Sequence, residues 1–388
     1  MWTYDKQASP EDFMTVQLFV PSFRIEECLS EIRECLEKGW TGLGFKTAEF
    51  ETAWKNYTGL PHAHFLNSNT VGLHLAFQLF KSKYGWKDDD EVITTPLTFV
   101  STNHAILYAG LKPVFADVDE YLCLDPDSVS KLITDKTKAL IFVGMGGNVG
   151  RYQKILEICR EHDIKLVLDA AHMSGTRVNG KHVGGDADVS VFSFQAVKNL
   201  PTADSGMICF KEAEDDERVR KLTWLGINKD TYARTAAQGA YKWMYDVEEV
   251  GHKYHGNSIM AAMAIVQLKY LDIDNSFRRQ LAVWYHRHFD GHNRVTVVPT
   301  AKGCESAQHL LQIRVKNRDV LMLALNEHGV YPGVHYRDNT DYRMYAYAAG
   351  TCPNAAAASK EIISLPLHLR MSKADVDLVS ELVLKYAQ

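Results

Sequence analysis

Apolar residues along this chain fall into two kinds of run that alternate. One kind is short, β-branched and aromatic, at 64–66, within 88–96, and at 112–118, 138–143, 164–169 and 188–194. Most of these runs end at a Gly, Pro, Asn or Asp, which predicts short strands covered on both faces. The other kind repeats every three to four positions and predicts helices. The first helix spans 24–38, with Ile25, Cys28, Leu29, Ile32 and Leu36 as its apolar side. A second carries Phe50, Ala53, Trp54 and Tyr57 and stops at Gly59; another follows the turn 67–70; a fourth closes at Gly110; a fifth covers 151–162 with Ile155, Leu156, Ile158 and Cys159 inward. Strand and helix in alternation at this spacing predict a parallel, doubly wound α/β sheet with crossover helices. After a returning strand at 206–210 the periodicity fades. Residues 214–256, with Trp224, Trp243 and Tyr245, read as a long connecting segment. A strong helix covers about 260–290. Short strands at 295–298 and 310–315 then mix with helices at 319–328, 355–363 and 372–386, a smaller α/β lobe. The expected division is 1–260 for the large domain and 261–388 for the smaller one.

Composition narrows the classes. With 388 residues, 46% of them hydrophobic, the chain has ample material for a large core. A formal charge of -5, with no basic run, argues against nucleic acid as a partner. No apolar run is long enough to span a membrane. The start, Met1-Trp-Thr-Tyr-Asp-Lys-Gln, lacks the layout of a signal peptide. The seven cysteines are odd in number and have no Cys-x-x-Cys spacing, which predicts reduced thiols and a cytoplasmic protein. The sixteen histidines show no His-Glu-x-x-His, so no metal is expected. His62, His64, His104, His286 and His288 read as surface or packing residues, Asp88-Asp-Asp-Glu91 as a solvated turn, and Tyr342, Tyr345 and Tyr347 as lobe packing or a pocket rim.

The candidate chemistry lies where strands end. Val189-Ser-Val-Phe-Ser-Phe-Gln-Ala-Val-Lys198 runs from a buried strand into a polar loop. In open α/β sheets, sites form at that edge. Lys198 there is either a solvated loop cation or an amine that condenses with a carbonyl. Asp169 ends the strand before it and so reaches the same edge. It either caps the following turn or faces a lysine-bound heterocycle whose ring nitrogen it keeps protonated. The polar turn Asn67-Ser-Asn-Thr70 at a helix start serves ordinary capping or a phosphate.

Several separated segments then agree. They are Gly39-Trp-Thr-Gly with Glu49-Phe-Glu51; Ser68-Asn-Thr-Val-Gly-Leu-His-Leu-Ala; and Pro96-Leu-Thr-Phe99-Val-Ser-Thr. To these add Lys112-Pro-Val-Phe-Ala-Asp; Asp169-Ala-Ala-His172; Phe192-Ser193-Phe-x-x-x-Lys198; Gly256-Asn257; Gly333-Val-His335-Tyr336; and Ser364-Leu-Pro-Leu-His. In that order they resemble the DegT/DnrJ/EryC1/StrS group, aminotransferases that use pyridoxal 5'-phosphate (PLP) and act on nucleotide-linked keto-sugars. The resemblance covers about 39–386.

It implies the aspartate-aminotransferase-like fold type I: a large domain with a mostly parallel seven-stranded sheet flanked by helices, plus a smaller C-terminal α/β domain. It implies PLP held as an internal aldimine on Lys198, passing through pyridoxamine phosphate. In this resemblance Lys198 and Asp169 are catalytic, and His172 sits near the cofactor's 3-hydroxyl. Phe99 stacks on the ring, Asn69, Thr70 and Ser193 contact the phosphate, and Asn257 reaches it from the neighbouring subunit of a homodimer with shared sites. His309, His335 and Tyr336 fall near the substrate. The implied reaction moves an amino group from an amino acid, L-glutamate, to a keto group of a nucleotide-linked deoxysugar in amino-sugar or surface-polysaccharide biosynthesis. The alternatives are a non-nucleotide acceptor such as a phosphorylated triose or a cyclitol ketone, and a regulatory protein of the same fold without turnover. Three departures bear on the substrate more than on the cofactor. Asn69 stands where the group commonly has Gly, no Arg follows Asn257, and the turn after the lysine is Thr202-Ala-Asp-Ser-Gly206.

Overall fold

A computed structural model describes residues 15–228 and 245–388. Trp243, in the connecting segment, therefore lies outside the described residues.

Seven strands form the central sheet, in the spatial order His62–Leu66, Gly206–Phe210, Val189–Ser193, Lys165–Asp169, Thr137–Val143, Glu91–Thr94 and Lys112–Phe115. All neighbours pair in parallel except Gly206–Phe210, which runs antiparallel to both of its partners. Val189–Ser193 and Gly206–Phe210 are buried at every position, on either face of the sheet. This explains their continuous apolar runs, since helices cover both sides of a parallel sheet. Because the parallel strands point one way, Asp169 and Ser193 both emerge at the carboxyl edge of the sheet. Gly206 enters at the same edge, paired with Leu66 on one side and Ser193 on the other.

A second, antiparallel sheet of Thr296–Val297, Leu311–Arg314 and Ile362–Leu365 packs with the helices Arg318–Glu327 and Lys373–Tyr386. The helix Ser258–Phe289 serves both regions: Ala261, Ala264 and Leu271 join the main core, and Leu281, Tyr285 and Phe289 join the second. The beginning of the described chain also enters the second core, with Val16 paired to Val330.

The helix Ile25–Glu37 forms where periodicity predicts it, but it buries only part of the expected side, Cys28 fully and Ile32 by half. Cys28 and Cys35 are its buried residues, whereas Ile25, Leu29 and Leu36 are exposed. The small cysteines, two turns apart, let this helix lie close to Ser258–Phe289, and Cys35 Sγ contacts Ser258 O at 3.6 Å. The segment after 210 is also more regular than expected, with a helix over Ala213–Thr223.

Glu51 ties the helix Phe45–Thr58 to the sheet. Its Oε1 accepts from His64 Nδ1 at 2.9 Å and from Phe65 N at 2.8 Å, and its Oε2 accepts from Arg220 at 2.9 Å. His64 is thus a packing histidine, as is His104, which contacts the buried Tyr345 hydroxyl at 2.6 Å. Among the described residues no helix is long and apolar enough to cross a membrane, and no group of three acidic, His or Cys side chains is placed to hold a metal.

Candidate active site

At the carboxyl edge of the sheet a cavity of about 410 Å³ brings together Asn69, Thr70, Phe99, Asp169, His172 and Ser193 with Lys198, His309, His335 and Tyr336. Every candidate site residue read from the sequence lines it except Asn257. That residue is the N-cap of Ser258–Phe289, its side chain accepting from Met260 N at 2.9 Å.

Lys198 lies in the loop after Val189–Ser193. Burial lowers its pKa from the usual lysine value to about 8, and the Asp169 carboxylate only partly opposes this. At that pKa about a tenth of the amine is unprotonated and nucleophilic at pH 7, far more than of an ordinary lysine.

Asp169 is buried at the end of its strand, and burial pushes its carboxyl above the ordinary range. Three donors resist that push. Thr102 Oγ1 donates to Oδ2 at 2.8 Å, and Ala171 N and Asn69 Nδ2 donate to Oδ1 at 3.2 and 3.3 Å. The carboxylate is therefore held in one orientation by groups from two helices and the following turn.

His172 is neutral, and its tautomer follows from its partners. Gly146 N donates to Nδ1 at 3.2 Å, so the ring proton resides on Nε2. Nε2 lies 3.1 Å from the Tyr336 hydroxyl and donates to it, which leaves the hydroxyl's own proton for a group in the cavity. Burial drives the His172 pKa well below its usual value, with Lys198 and His335 adding to the shift. His309 lies beside it, ring centroids 4.4 Å apart, with Nδ1 on Asn199 Oδ1 at 2.9 Å. Burial takes His335 down to about 4. The cavity thus holds three uncharged imidazoles and one tunable amine.

The helix Asn69–Tyr84 opens into the cavity. Ser68 caps it, accepting from Val71 N at 3.4 Å, so the ordinary capping role is present. The same helix start, with Thr70 and Ser193 beside it, also presents hydroxyls and free amides of the kind that hold a phosphate. The turn approaches Gly206 so closely that a Cβ there would lie 2.7 Å from Asn69 N. Phe99 precedes the helix Val100–Tyr108, is 58% exposed, and stands 6.0 Å from the Tyr336 ring.

Two contributors escaped sequence reading. Thr102 lies one helical turn beyond Phe99 in a segment already singled out, so its side was legible even though its partner was not. Phe19 stacks on His309, ring centroids 5.3 Å apart and planes 6° apart, and no local pattern announces it.

PLP needs an amine for its aldehyde, an anionic partner for its ring nitrogen, a helix start for its phosphate and room for a planar ring. The residues lining this cavity fit it. Sheet and cavity together are those of a PLP-dependent enzyme. The chain belongs to the DegT/DnrJ/EryC1/StrS aminotransferase family, whose profile matches residues 24–384. It is 34% identical over 370 residues to the spore coat polysaccharide biosynthesis protein SpsC of Bacillus subtilis, covering 92% of this chain and 94% of SpsC. The solved aminotransferase TlmJ from Streptoalloteichus hindustanus is similar at 31% identity and TM-score 0.88, covering 95% of this chain and 98% of TlmJ. Helicobacter pylori PseC, an aminotransferase involved in the biosynthesis of pseudoaminic acid, is similar at 27% identity and TM-score 0.87, covering 96% and 98%.

Proposed function

We propose that this chain transfers an amino group from L-glutamate to the keto carbon of a nucleotide-linked sugar, in the supply of amino sugars for a polysaccharide. The observation that carries this reading is the pairing, in one cavity, of Lys198, whose pKa is lowered to about 8, with the donor-held carboxylate of buried Asp169. The involvement of PseC in pseudoaminic acid biosynthesis and of SpsC in spore coat polysaccharide biosynthesis supports the substrate class.

When bound, PLP supplies an electron sink and carries the amino group between donor and acceptor. In this reading the chain's own residues do the rest. Lys198 Nζ holds the cofactor covalently between turnovers and, once displaced, moves a proton at the reacting carbon. Asp169 keeps the ring nitrogen protonated. Phe99 covers the ring face, and the Tyr336 hydroxyl, oriented by His172, addresses an oxygen substituent. Thr70 and Ser193 hold the phosphate. Phe19, His309 and His335 enclose the substrate side without adding charge. Asn257 completes the phosphate site of a partner copy in a homodimer. Phe99, Leu107 and Tyr108, all exposed on or beside one helix at the cavity, give a second copy apolar surface to cover. The seven cysteines, all free and six of them buried, suit a reducing cytoplasm.

The test is a panel of UDP-, GDP- and dTDP-linked keto-sugars beside a phosphorylated triose and a cyclitol ketone. Amination of a nucleotide-linked ketone, abolished by Lys198→Ala, is the expected result. Turnover of the small ketones alone overturns the substrate assignment.

A further inference from the structure

Asn69 follows the cap Ser68, at a position where the family pattern commonly has glycine. Its carboxamide is turned inward. Nδ2 donates to Val191 O at 3.0 Å and to Asp169 Oδ1 at 3.3 Å, and the residue is 8% exposed. Both partners are acceptors, so the amide has one sensible orientation and both of its hydrogens are committed to them. Those hydrogens are unavailable to a phosphate, the role that the resemblance suggests for this position.

We propose that Asn69 is a positioning residue for Asp169. Its carboxamide ties the carboxylate to the strand Val189–Ser193 and supplies a donor that a glycine would lack. Asp169 sits where burial favours its neutral form, and each donor removed moves it further that way. Without Asn69, Oδ1 retains only the Ala171 N–H, while Thr102 continues to hold Oδ2. The carboxylate then turns more freely and protonates more readily, and its hold on a protonated ring nitrogen weakens. Asn69 thus acts on the electronics of the cofactor through Asp169, without touching the reacting atoms. The inference rests on the reading of Asp169 as the partner of the ring nitrogen.

The experiment uses full-length protein reconstituted with PLP, in wild type, Asn69→Ala, Asn69→Gly, Asp169→Asn and the Asn69→Ala/Asp169→Asn pair. Two quantities are read: the pH midpoint of the visible absorption band, and the affinities for PLP and for pyridoxal, which has no phosphate. An electron-poor, protonated ring lowers the midpoint. Asn69→Ala is therefore expected to raise it by about half a unit or more, to weaken PLP and pyridoxal alike, and to add nothing in the Asp169→Asn background. Asn69→Gly repeats the measurement with the residue the family pattern accommodates, should the alanine variant fold poorly. An unchanged midpoint in both variants overturns the inference. So does a shift that persists without Asp169, or a loss of affinity confined to PLP, which would mark a phosphate contact. A wild-type protein that binds no PLP defeats the functional reading itself, a result distinct from any of these.

Discussion

At the scale of single residues, the chemistry depends on which proton sits where. The Gly146 amide fixes the His172 tautomer, His172 Nε2–H is satisfied by the Tyr336 hydroxyl, and that hydroxyl keeps one proton to give. Burial raises the Tyr336 pKa, so the group stays protonated at working pH. Tyr336→Phe removes the donor and leaves the histidine N–H without its partner. The expected outcome is a fall in kcat of about 10- to 100-fold with PLP affinity within a few-fold of wild type. Steady-state kinetics beside a PLP titration checks it, and an unchanged kcat would remove Tyr336 from the reaction. That Lys198, Asp169 and His172 meet in one cavity was legible in the sequence because strand ends and the motif around them are local. The burial that sets their charge states and the hydrogen bonds that orient Asp169 and His172, which join residues up to 164 apart in the chain, leave no local trace.

At the scale of elements, the strands and most helices follow the apolar pattern because the inner strands of the seven-stranded sheet are buried on both faces and each crossover helix on one. The failure is instructive. Ile25, Leu29 and Leu36 make an apolar stripe on the first helix, yet the contact is made by Cys28 and Cys35, because close approach to Ser258–Phe289 selects small side chains over large ones. Phe19 shows the same limit from the other direction, since its place over His309 is set by the pairing of Val16 with Val330, far along the chain. Between elements, Glu51 is the tie most exposed to mutation. Burial disfavours its charge, but His64 and Arg220 outweigh burial and hold its carboxyl below the usual 4.5. A carboxyl lowered in the folded state adds stability that is present above pH 4.5 and is lost as pH falls through the lower, folded value. Glu51→Ala is expected to cost about 3 kcal/mol by leaving its buried partners unmatched. The variant should also show a weaker loss of stability on acidification than wild type. Denaturant melts at pH 7 and at acid pH measure both effects, and equal acid sensitivity would assign the pH dependence elsewhere.

At the scale of the whole molecule, a seven-stranded sheet gathers residues from the first and last parts of the chain at one edge, and a single long helix joins the two cores. Asn257 caps that helix, outside the cavity of its own chain. If it serves a partner's cavity, a mixture of two inactive variants regains activity. Asn257→Ser preserves a good cap while shortening the reach, and Lys198→Ala removes the amine. A heterodimer of the two contains one site with both native residues, so roughly a quarter of the native sites should return after mixing. A mixture that stays inactive while forming dimers would mean that each chain builds its site alone.

In the proposed function Lys198 carries PLP and an amino acid delivers its amino group there. The direct measurement is the absorption spectrum of the purified, PLP-reconstituted protein before and after addition of L-glutamate alone. The expected result is a yellow band that is absent from Lys198→Ala and that glutamate bleaches to the colourless pyridoxamine form without any acceptor. A band that glutamate leaves unchanged would contradict the donor assignment. A protein that PLP cannot turn yellow would contradict the proposed function itself.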